Sequence, residues 1–173
     1  MKNNKIAVIG DGGWGTTLAI LLHNKNYEVV LWSAFSDYAS VMAAKRENTK
    51  YLPDIKIPEG VKITSGIQDL KGAAYYIVAV PCRFLKDTVS KFKGVIEAPV
   101  ISVTKGIDTV TLKRPSETIV QELGDVRLAV LSGPTIAYET ARGVPTTCVA
   151  ASPDANLAFD VQQLFCSDTF RIY

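Results

Sequence analysis

Short apolar runs alternate with amphipathic stretches along the whole chain, which is the pattern of repeated βαβ units. Most of the runs are rich in Val and Ile, as expected for strands of a parallel sheet that has helices on both faces. The pattern predicts eight strands, at Lys5 to Ile9, Glu28 to Trp32, Val61 to Thr64, Tyr75 to Val80, Val100 to Thr104, Leu128 to Leu131, Thr147 to Ala151 and Phe170 to Ile172.

Helical spacing of apolar residues lies between these runs, at Thr16 to Asn24, Asp37 to Lys45, Arg83 to Phe92, Ser116 to Leu123, Ile136 to Ala141 and Asp154 to Phe165. The last helix is expected to begin at Ser152-Pro153-Asp154, with a capping side chain and a proline at its first position. Tyr51 to Gly60, with two prolines, is predicted to be irregular. We therefore predict an α/β fold, a Rossmann-like doubly wound, mostly parallel sheet, with residues 1–173 in a single dinucleotide-binding domain.

The composition fits this fold and excludes several classes of protein. The 173 residues are 47% hydrophobic, 21% charged and 9% aromatic, which excludes a disordered tail, a collagen-like repeat and a coiled coil. The net charge is +2, and no basic run is longer than two residues, as at Lys45-Arg46. We therefore expect neither a nucleic acid nor a membrane surface as partner.

Cysteine usage and hydropathy predict a cytoplasmic protein. Cys82, Cys148 and Cys166 are odd in number, far apart and without the spacing of a zinc site, so we expect free thiols and no metal. No apolar stretch approaches the 18 or so residues of a membrane span, and the one that starts at Ile6 is interrupted by glycines.

A glycine-rich turn follows the first strand directly. Gly10-Asp11-Gly12-Gly13-Trp14-Gly15 has the spacing GxGxxG and leads into a helix, with a second strand after it. Gly10 permits the tight turn, Gly12 lets a pyrophosphate approach the backbone, and Gly15 lets helix and strand come close. The helix N-terminus adds N–H donors and a positive dipole. The sequence therefore predicts a dinucleotide site.

The end of the second strand leaves the choice between NAD and NADP open. Trp32-Ser33-Ala34-Phe35-Ser36 has no carboxylate for the ribose hydroxyls of NAD and no basic residue for the extra phosphate of NADP. Ser33 and Ser36 are either ligands of a ribose hydroxyl or phosphate, or ordinary polar loop residues.

Ligands of an open parallel sheet bind outside the carboxyl ends of its strands, so residues there are candidates for the site. Phe84, just beyond the strand that Pro81 ends, either covers the dinucleotide or belongs to the core. Lys105 follows a buried strand, and its ammonium needs a substrate phosphate, a polarised carbonyl or the water at the rim. Ser132 to Glu139 presents backbone amides and the hydroxyls of Ser132 and Thr135.

Histidine chemistry is absent from this prediction. His23, the single histidine, lies late in the first helix and is interpreted as structural. A Ser/His pair and a histidine general base are therefore excluded, and hydrolase hypotheses lose most of their support.

Four motifs in order resemble those of NAD(P)-dependent glycerol-3-phosphate dehydrogenase, and the resemblance covers essentially the whole chain. They are Gly10-Asp11-Gly12-Gly13-Trp14-Gly15-Thr16-Thr17-Leu18-Ala19, Asn48-Thr49-Lys50-Tyr51-Leu52-Pro53, Thr104-Lys105-Gly106, and Ser132-Gly133-Pro134-Thr135-Ile136-Ala137-Tyr138-Glu139.

The resemblance implies reversible hydride transfer between NAD(P)H and dihydroxyacetone phosphate to give sn-glycerol 3-phosphate, a phospholipid precursor. It implies cofactor contacts for Gly13, Trp14 and Ala137, substrate contacts for Gly133 and Thr135, and contacts with both for Lys105. The family's cofactor contact after the second strand is often basic or polar, whereas Ala34 stands at about that place. The resemblance leaves open a homodimer of the full-length enzyme.

In this family a helical C-terminal domain follows and supplies the acid/base lysine within G-x-x-K-N, together with the arginine and asparagine that hold the substrate phosphate. The 173 residues contain no G-x-x-K-N sequence. We therefore expect a fragment of the full enzyme that binds cofactor but has little or no turnover, because Lys105 alone offers only part of the stabilisation that hydride transfer needs. The alternatives are the N-terminal domain of a ketopantoate or hydroxyacid reductase, and a non-catalytic nucleotide-sensing module.

Overall fold

A computed structural model describes residues 4–173, which form ten strands and six α-helices. The strands are β1 (Lys5–Ile9), β2 (Glu28–Trp32), β3 (Glu47–Asn48), β4 (Leu52–Lys56), β5 (Lys62–Thr64), β6 (Tyr75–Val78), β7 (Val100–Ser102), β8 (Leu128–Ser132), β9 (Thr146–Ala151) and β10 (Phe170–Ile172). The helices are α1 (Gly13–Asn24), α2 (Ser36–Lys45), α3 (Cys82–Val89), α4 (Pro115–Leu123), α5 (Ala137–Ala141) and α6 (Ala155–Phe165), and short 3-10 helices lie at Ile67–Leu70 and Ser90–Phe92.

Eight strands form one sheet in the order β10-β9-β8-β7-β6-β1-β2-β5. β1 pairs in parallel with both β2 and β6, so the chain winds outward from β1 first in one direction and then in the other. This reversal is the doubly wound topology predicted from the sequence, and it opens a crevice at the carboxyl ends of β1 and β6.

Alternate residues of the central strands enter two hydrophobic cores, one on each face of the sheet. Ile6 and Val8 of β1 pack with α1 and α6, whereas Ala7 and Ile9 pack on the other face with α3 and α4. Burial on both faces explains why the runs are continuously apolar rather than alternating.

The parallel arrangement stops at β8, because β9 pairs with it antiparallel. β10 then runs parallel to β9. The connection between β8 and β9 contains only the five-residue helix α5, which packs beside α1 instead of covering a face of the sheet. Parallel strands need a crossover that covers the sheet, and without one the chain returns in the opposite direction.

The predicted irregular segment contains regular structure, which corrects the sequence-based expectation. Within Tyr51 to Gly60, β4 pairs antiparallel with β3 in a separate two-stranded sheet. Pro53 lies inside β4, where a short ribbon tolerates a residue that cannot donate to the ladder. Two prolines therefore did not exclude a strand.

All six helix starts differ from the predicted ones, and the differences at α1 and α6 change which groups lie at the helix N-terminus. α1 begins at Gly13, inside the glycine turn, rather than at Thr16. α6 begins at Ala155, because the Asp154 carboxylate accepts hydrogen bonds from the amides of Asn156 and Leu157 and caps the helix. The Ser152 hydroxyl, the expected cap, donates instead to the Leu128 carbonyl.

No helix within residues 4–173 combines the length and the apolar character needed to cross a bilayer.

Candidate functional site

The glycine turn joins β1 to α1 at the crevice. Gly10 has a φ of +117°, a left-handed conformation that favours glycine. A Cβ on Gly10 would lie 2.7 Å from the Ala79 carbonyl oxygen, and a Cβ on Gly15 would collide with the Gly10 carbonyl. The turn therefore requires glycine at both positions, as the GxGxxG interpretation expects.

The N-terminus of α1 faces the crevice without a protein cap. Gly12 is the N-cap residue, no side chain bonds the first-turn amides, and that turn contains no acidic residue. A Cβ on Gly12 would meet no atom within 4 Å. The amides and the positive end of the helix dipole are thus open on the side where Gly12 leaves room for an anion.

Asn48 holds the turn from the opposite side. Its buried amide nitrogen donates to the Asp11 carbonyl at 2.7 Å and to the Thr16 hydroxyl at 2.8 Å. Its oxygen accepts from the Tyr38 hydroxyl at 2.6 Å and from the Tyr51 amide at 3.1 Å. In the sequence, Asn48 stands out only as part of a family motif, whereas in the structure its four hydrogen bonds fix the position of the turn.

An inner cleft of about 400 Å³ lies beside the turn. Six of the predicted site residues line it: Gly12, Gly13, Trp14, Lys105, Thr135 and Ala137. Gly133 joins them through Lys105, whose Nζ donates to the Gly133 carbonyl at 2.8 Å and to the Thr135 hydroxyl at 2.9 Å. Residues that the sequence separates by up to about 120 positions therefore meet at one place.

Lys105 keeps donor capacity toward the cleft. An ammonium has three N–H donors, and within the described part of the chain two of them are used by Gly133 and Thr135. The side chain is exposed. The remaining donor and the positive charge can therefore meet a phosphate or carbonyl oxygen.

The Gly133 backbone position is fixed by the neighbouring strand. A Cβ on Gly133 would lie 2.6 Å from the Thr147 carbonyl oxygen. Beside it, burial raises the pKa of the Cys148 thiol, and the Lys105 charge opposes that shift in part. Cys148 is thus held as a neutral thiol and is not an activated nucleophile.

An outer groove of about 480 Å³ continues from the inner cleft. Gly12, Ala79, Val80 and Pro81 line both, so the two form one crevice across the carboxyl ends of β1 and β6. Phe84 is 49% exposed and lies along this groove with Gly10 and Phe35. The interpretation of Phe84 as a core residue is therefore wrong.

The two serines after β2 differ in what they can do. The buried Ser33 hydroxyl donates to Asp11 Oδ2 at 2.7 Å and accepts from the Phe35 amide at 3.2 Å. It is therefore engaged inside the loop. Ser36 is exposed at the start of α2, with its hydroxyl 3.4 Å from Asp37 Oδ1.

His23 and the cysteines lie outside the two clefts. A Cβ on Gly60 would collide with the His23 imidazole, so this ring is a neighbour of the segment before β5. Within residues 4–173, no group of three or more His, Cys, Asp or Glu side chains is placed to hold a metal ion.

A larger cavity, about 980 Å³, lies elsewhere, between α4 and the β8–β9 pair. None of the predicted site residues lines it. Size alone therefore does not choose between the cavities, whereas the glycine turn, Lys105 and Thr135 converge on the inner cleft and make it the candidate site.

Comparisons with known proteins agree with this geometry. The family described as "NAD-dependent glycerol-3-phosphate dehydrogenase N-terminus" matches residues 5–158. A glycerol-3-phosphate dehydrogenase [NAD(P)+] of Chlorobium chlorochromatii is 42% identical over 97% of this chain and 52% of the relative. The chain spans about half the length of the relatives it matches.

Solved structures give the same result. The crystal structure of glycerol-3-phosphate dehydrogenase from Coxiella burnetii superimposes with a TM-score of 0.92 at 32% identity, over 98% of this chain and 53% of that one. The enzyme from Saccharomyces cerevisiae gives a TM-score of 0.85 at 25% identity, over 99% and 56%. The chain therefore belongs to the NAD-dependent glycerol-3-phosphate dehydrogenase family and corresponds to its N-terminal part.

Proposed function

We propose that this chain is the cofactor-binding half of a dehydrogenase that interconverts dihydroxyacetone phosphate and sn-glycerol 3-phosphate, a precursor of phospholipids. The observation that carries the proposal is the Lys105–Gly133–Thr135 cluster, which opens onto the same cleft as the glycine turn. A cation and a hydroxyl beside an anion-binding helix N-terminus suit a phosphorylated carbonyl compound next to a dinucleotide.

The lining of the crevice supports one orientation for a bound dinucleotide. The pyrophosphate would lie on the open first turn of α1, where Gly12 leaves space. The adenosine half would occupy the outer groove, covered by Phe84, and the nicotinamide half would lie in the inner cleft near Trp14 and Ala137. When bound, the nicotinamide supplies or accepts the hydride, and the protein supplies position and charge.

Lys105 would orient the substrate and neutralise its charge. The Gly133 carbonyl and the Thr135 hydroxyl hold the ammonium at the mouth of the cleft. Lys105 is the only ionisable residue that lines the inner cleft within residues 4–173. We therefore propose that turnover needs groups from the other half of the enzyme, the helical domain implied by the family resemblance.

A cytoplasmic location is part of the same proposal. Cys82, Cys148 and Cys166 are free thiols in the structure, which suits a reducing compartment. Burial raises the pKa of the Cys82 thiol, so this residue, like Cys148, stays protonated near neutral pH.

Tryptophan fluorescence tests the proposed function directly. The chain has two tryptophans, and Trp14 lines the inner cleft while Trp32 lines the outer groove. We expect saturable quenching by NADH or NADPH, and a further change when dihydroxyacetone phosphate is added. Lys105→Ala should increase the dissociation constant for dihydroxyacetone phosphate by about tenfold or more, because it removes a charge-assisted hydrogen bond.

Lys93→Ala is the matched control, since Lys93 is exposed and lines neither cleft. Equal effects of the two variants would contradict the assignment of Lys105. Ketopantoate titrated in parallel should cause no change. Nucleotide binding that never responds to dihydroxyacetone phosphate would instead favour a nucleotide-sensing module.

A further inference from the structure

The outer groove contains a carboxylate that lies close to the end of β2. Asp11 is the second residue of the glycine turn, is half-buried and lines the groove together with Ala34 and Phe35. Its Oδ2 accepts a 2.7 Å hydrogen bond from the hydroxyl of Ser33, the first residue after β2. Because Ser33 is fully buried, this bond holds the Asp11 side chain at the carboxyl end of β2.

That position has a defined use in dinucleotide-binding folds. An acidic residue at the end of the second strand hydrogen-bonds the ribose hydroxyls of NAD, whereas NADP-binding proteins place an arginine there. Residues 32–36 of this chain contain neither. We propose that Asp11, delivered from the glycine turn, takes the place of this acid, accepts a hydrogen bond from the adenosine 2′-hydroxyl and selects NAD(H) over NADP(H). The proposal rests on the proposed function, because it requires a dinucleotide in the groove.

The carboxylate has an oxygen available for this role. Among the residues that the structure describes, Ser33 is the one side chain that donates to the carboxylate of Asp11, and it uses Oδ2. No salt bridge joins Asp11 to a cation within residues 4–173. The Asp11 charge is a minor cause of the raised pKa of Lys50, but the Lys50 ammonium lies over the Tyr51 ring, 4.9 Å from its centre. A 2′-phosphate would therefore approach a carboxylate that no salt bridge neutralises within residues 4–173.

Two basic residues line the groove, and both come from the segment that follows β6. Arg83 and Lys91 belong to α3 and the 3-10 helix after it, which follow β6, and β1 separates β6 from β2. The Arg83 guanidinium lies over the Phe84 ring, 4.6 Å from its centre. Within residues 4–173 neither cation forms a salt bridge with Asp11, so neither neutralises its carboxylate directly.

The test compares the dissociation constants of NADH and NADPH, measured by tryptophan fluorescence on the full chain and on Asp11→Asn. The asparagine keeps the size of the side chain and an oxygen that accepts from Ser33, and removes the charge. We expect the wild-type chain to bind NADH at least about tenfold more tightly than NADPH, and Asp11→Asn to reduce that ratio about tenfold. The reduction should come mainly from tighter NADPH binding.

Two further variants keep the proposal falsifiable. Asp168→Asn removes an exposed carboxylate that lines neither cleft and should leave the ratio unchanged. Ser33→Ala keeps the Asp11 charge but removes its hydrogen bond, so the ratio should fall in part. Circular dichroism establishes that each variant is folded. If Asp11→Asn does not fold, an unchanged ratio in Ser33→Ala overturns the proposal.

The failures are distinguishable. Equal binding of the two nucleotides, or a preference for NADPH, would overturn the selectivity and leave the proposed function standing. Equal tightening of both nucleotides in Asp11→Asn would show general repulsion of phosphate and would also overturn it. If neither nucleotide binds a folded chain, the proposed function itself fails.

Discussion

The side-chain amide of Asn48 has two donor hydrogens and one oxygen with two lone pairs, and the protein uses all of them. The bonds connect the glycine turn to α1 on one side, and to α2 and the β3–β4 turn on the other. A single buried residue therefore couples the glycine turn to a segment of the chain that contributes no strand to the main sheet.

Asn48→Ala should lower both stability and nucleotide affinity. The substitution leaves the Asp11 carbonyl and the Tyr38 hydroxyl without their partner, which should reduce the free energy of unfolding by roughly 2–3 kcal/mol. The turn should also lose its fixed geometry, so that the dissociation constant for NADH increases. Urea unfolding and fluorescence titration measure the two effects.

Asn156→Ala is the control, because the Asn156 side chain is exposed on α6. A stability loss in Asn48→Ala without any change in nucleotide affinity would show that this residue supports the fold alone.

At the scale of single elements, α6 depends on Asp154 in two separable ways. Its carboxylate accepts two amide hydrogen bonds of the first turn and forms a salt bridge with Arg127, with an oxygen-to-nitrogen distance of 2.7 Å. The Arg127 hydrogen bond, followed by the amide of Leu157, lowers the pKa of Asp154. Asp154→Ala should lower the Tm by about 2–4 °C, since the cap is lost.

Asp154→Asn should keep the helix cap but remove the pH dependence of stability that the carboxylate causes. A lowered folded-state pKa means that the carboxylate stabilises the fold fully above its unfolded pKa, and that this contribution is lost as pH falls through the lowered value. The Tm values of the wild-type chain and of Asp154→Asn, plotted against pH between about pH 7 and pH 3, should therefore converge toward acid pH. Parallel curves over that range would contradict a contribution from the ion pair.

Local signals explain which elements could be predicted. β1, the glycine turn, α1 and β2 follow one another with their periodicity, glycines and apolar residues in sequence order, and the structure confirms the fold that they indicate. The start of α1 was wrong by three residues, because glycine is a poor helix former, and the open first turn lies in those residues. The β3–β4 hairpin was missed because Pro53 conceals a short strand.

Contacts distant in sequence explain what could not be predicted at the site. Asn48 bonds Asp11 across 37 positions, and Ser33 bonds Asp11 across 22. No periodicity or motif spacing encodes such pairs; only the assembled sheet brings them together. The gathering of Lys105 with Gly133 and Thr135 was anticipated because all three follow strand ends, which meet at one edge. Their ligand roles stay predictions.

At the scale of the whole molecule, nucleotide binding should protect one edge of the sheet. We expect NADH to slow amide hydrogen exchange in residues 10–17 and 79–85, which border the crevice. Exchange in residues 125–130 and 151–154, around the larger cavity, should not change. Mass-spectrometric exchange measures both regions in one experiment, and protection at the larger cavity instead would place the nucleotide at the wrong site.

The central place of β1 has a consequence for synthesis on the ribosome. One edge of β1 is paired as soon as β2 has emerged, but the other waits for β6, which ends 46 residues later. At ordinary elongation rates that interval is roughly 2–9 s, during which a flat apolar strand edge is open to wrong partners. The docking of β6 closes that edge, and the residues that follow β6 then add the remaining lining of the crevice. A nascent chain that can bind nucleotide has therefore already paired both edges of its central strand.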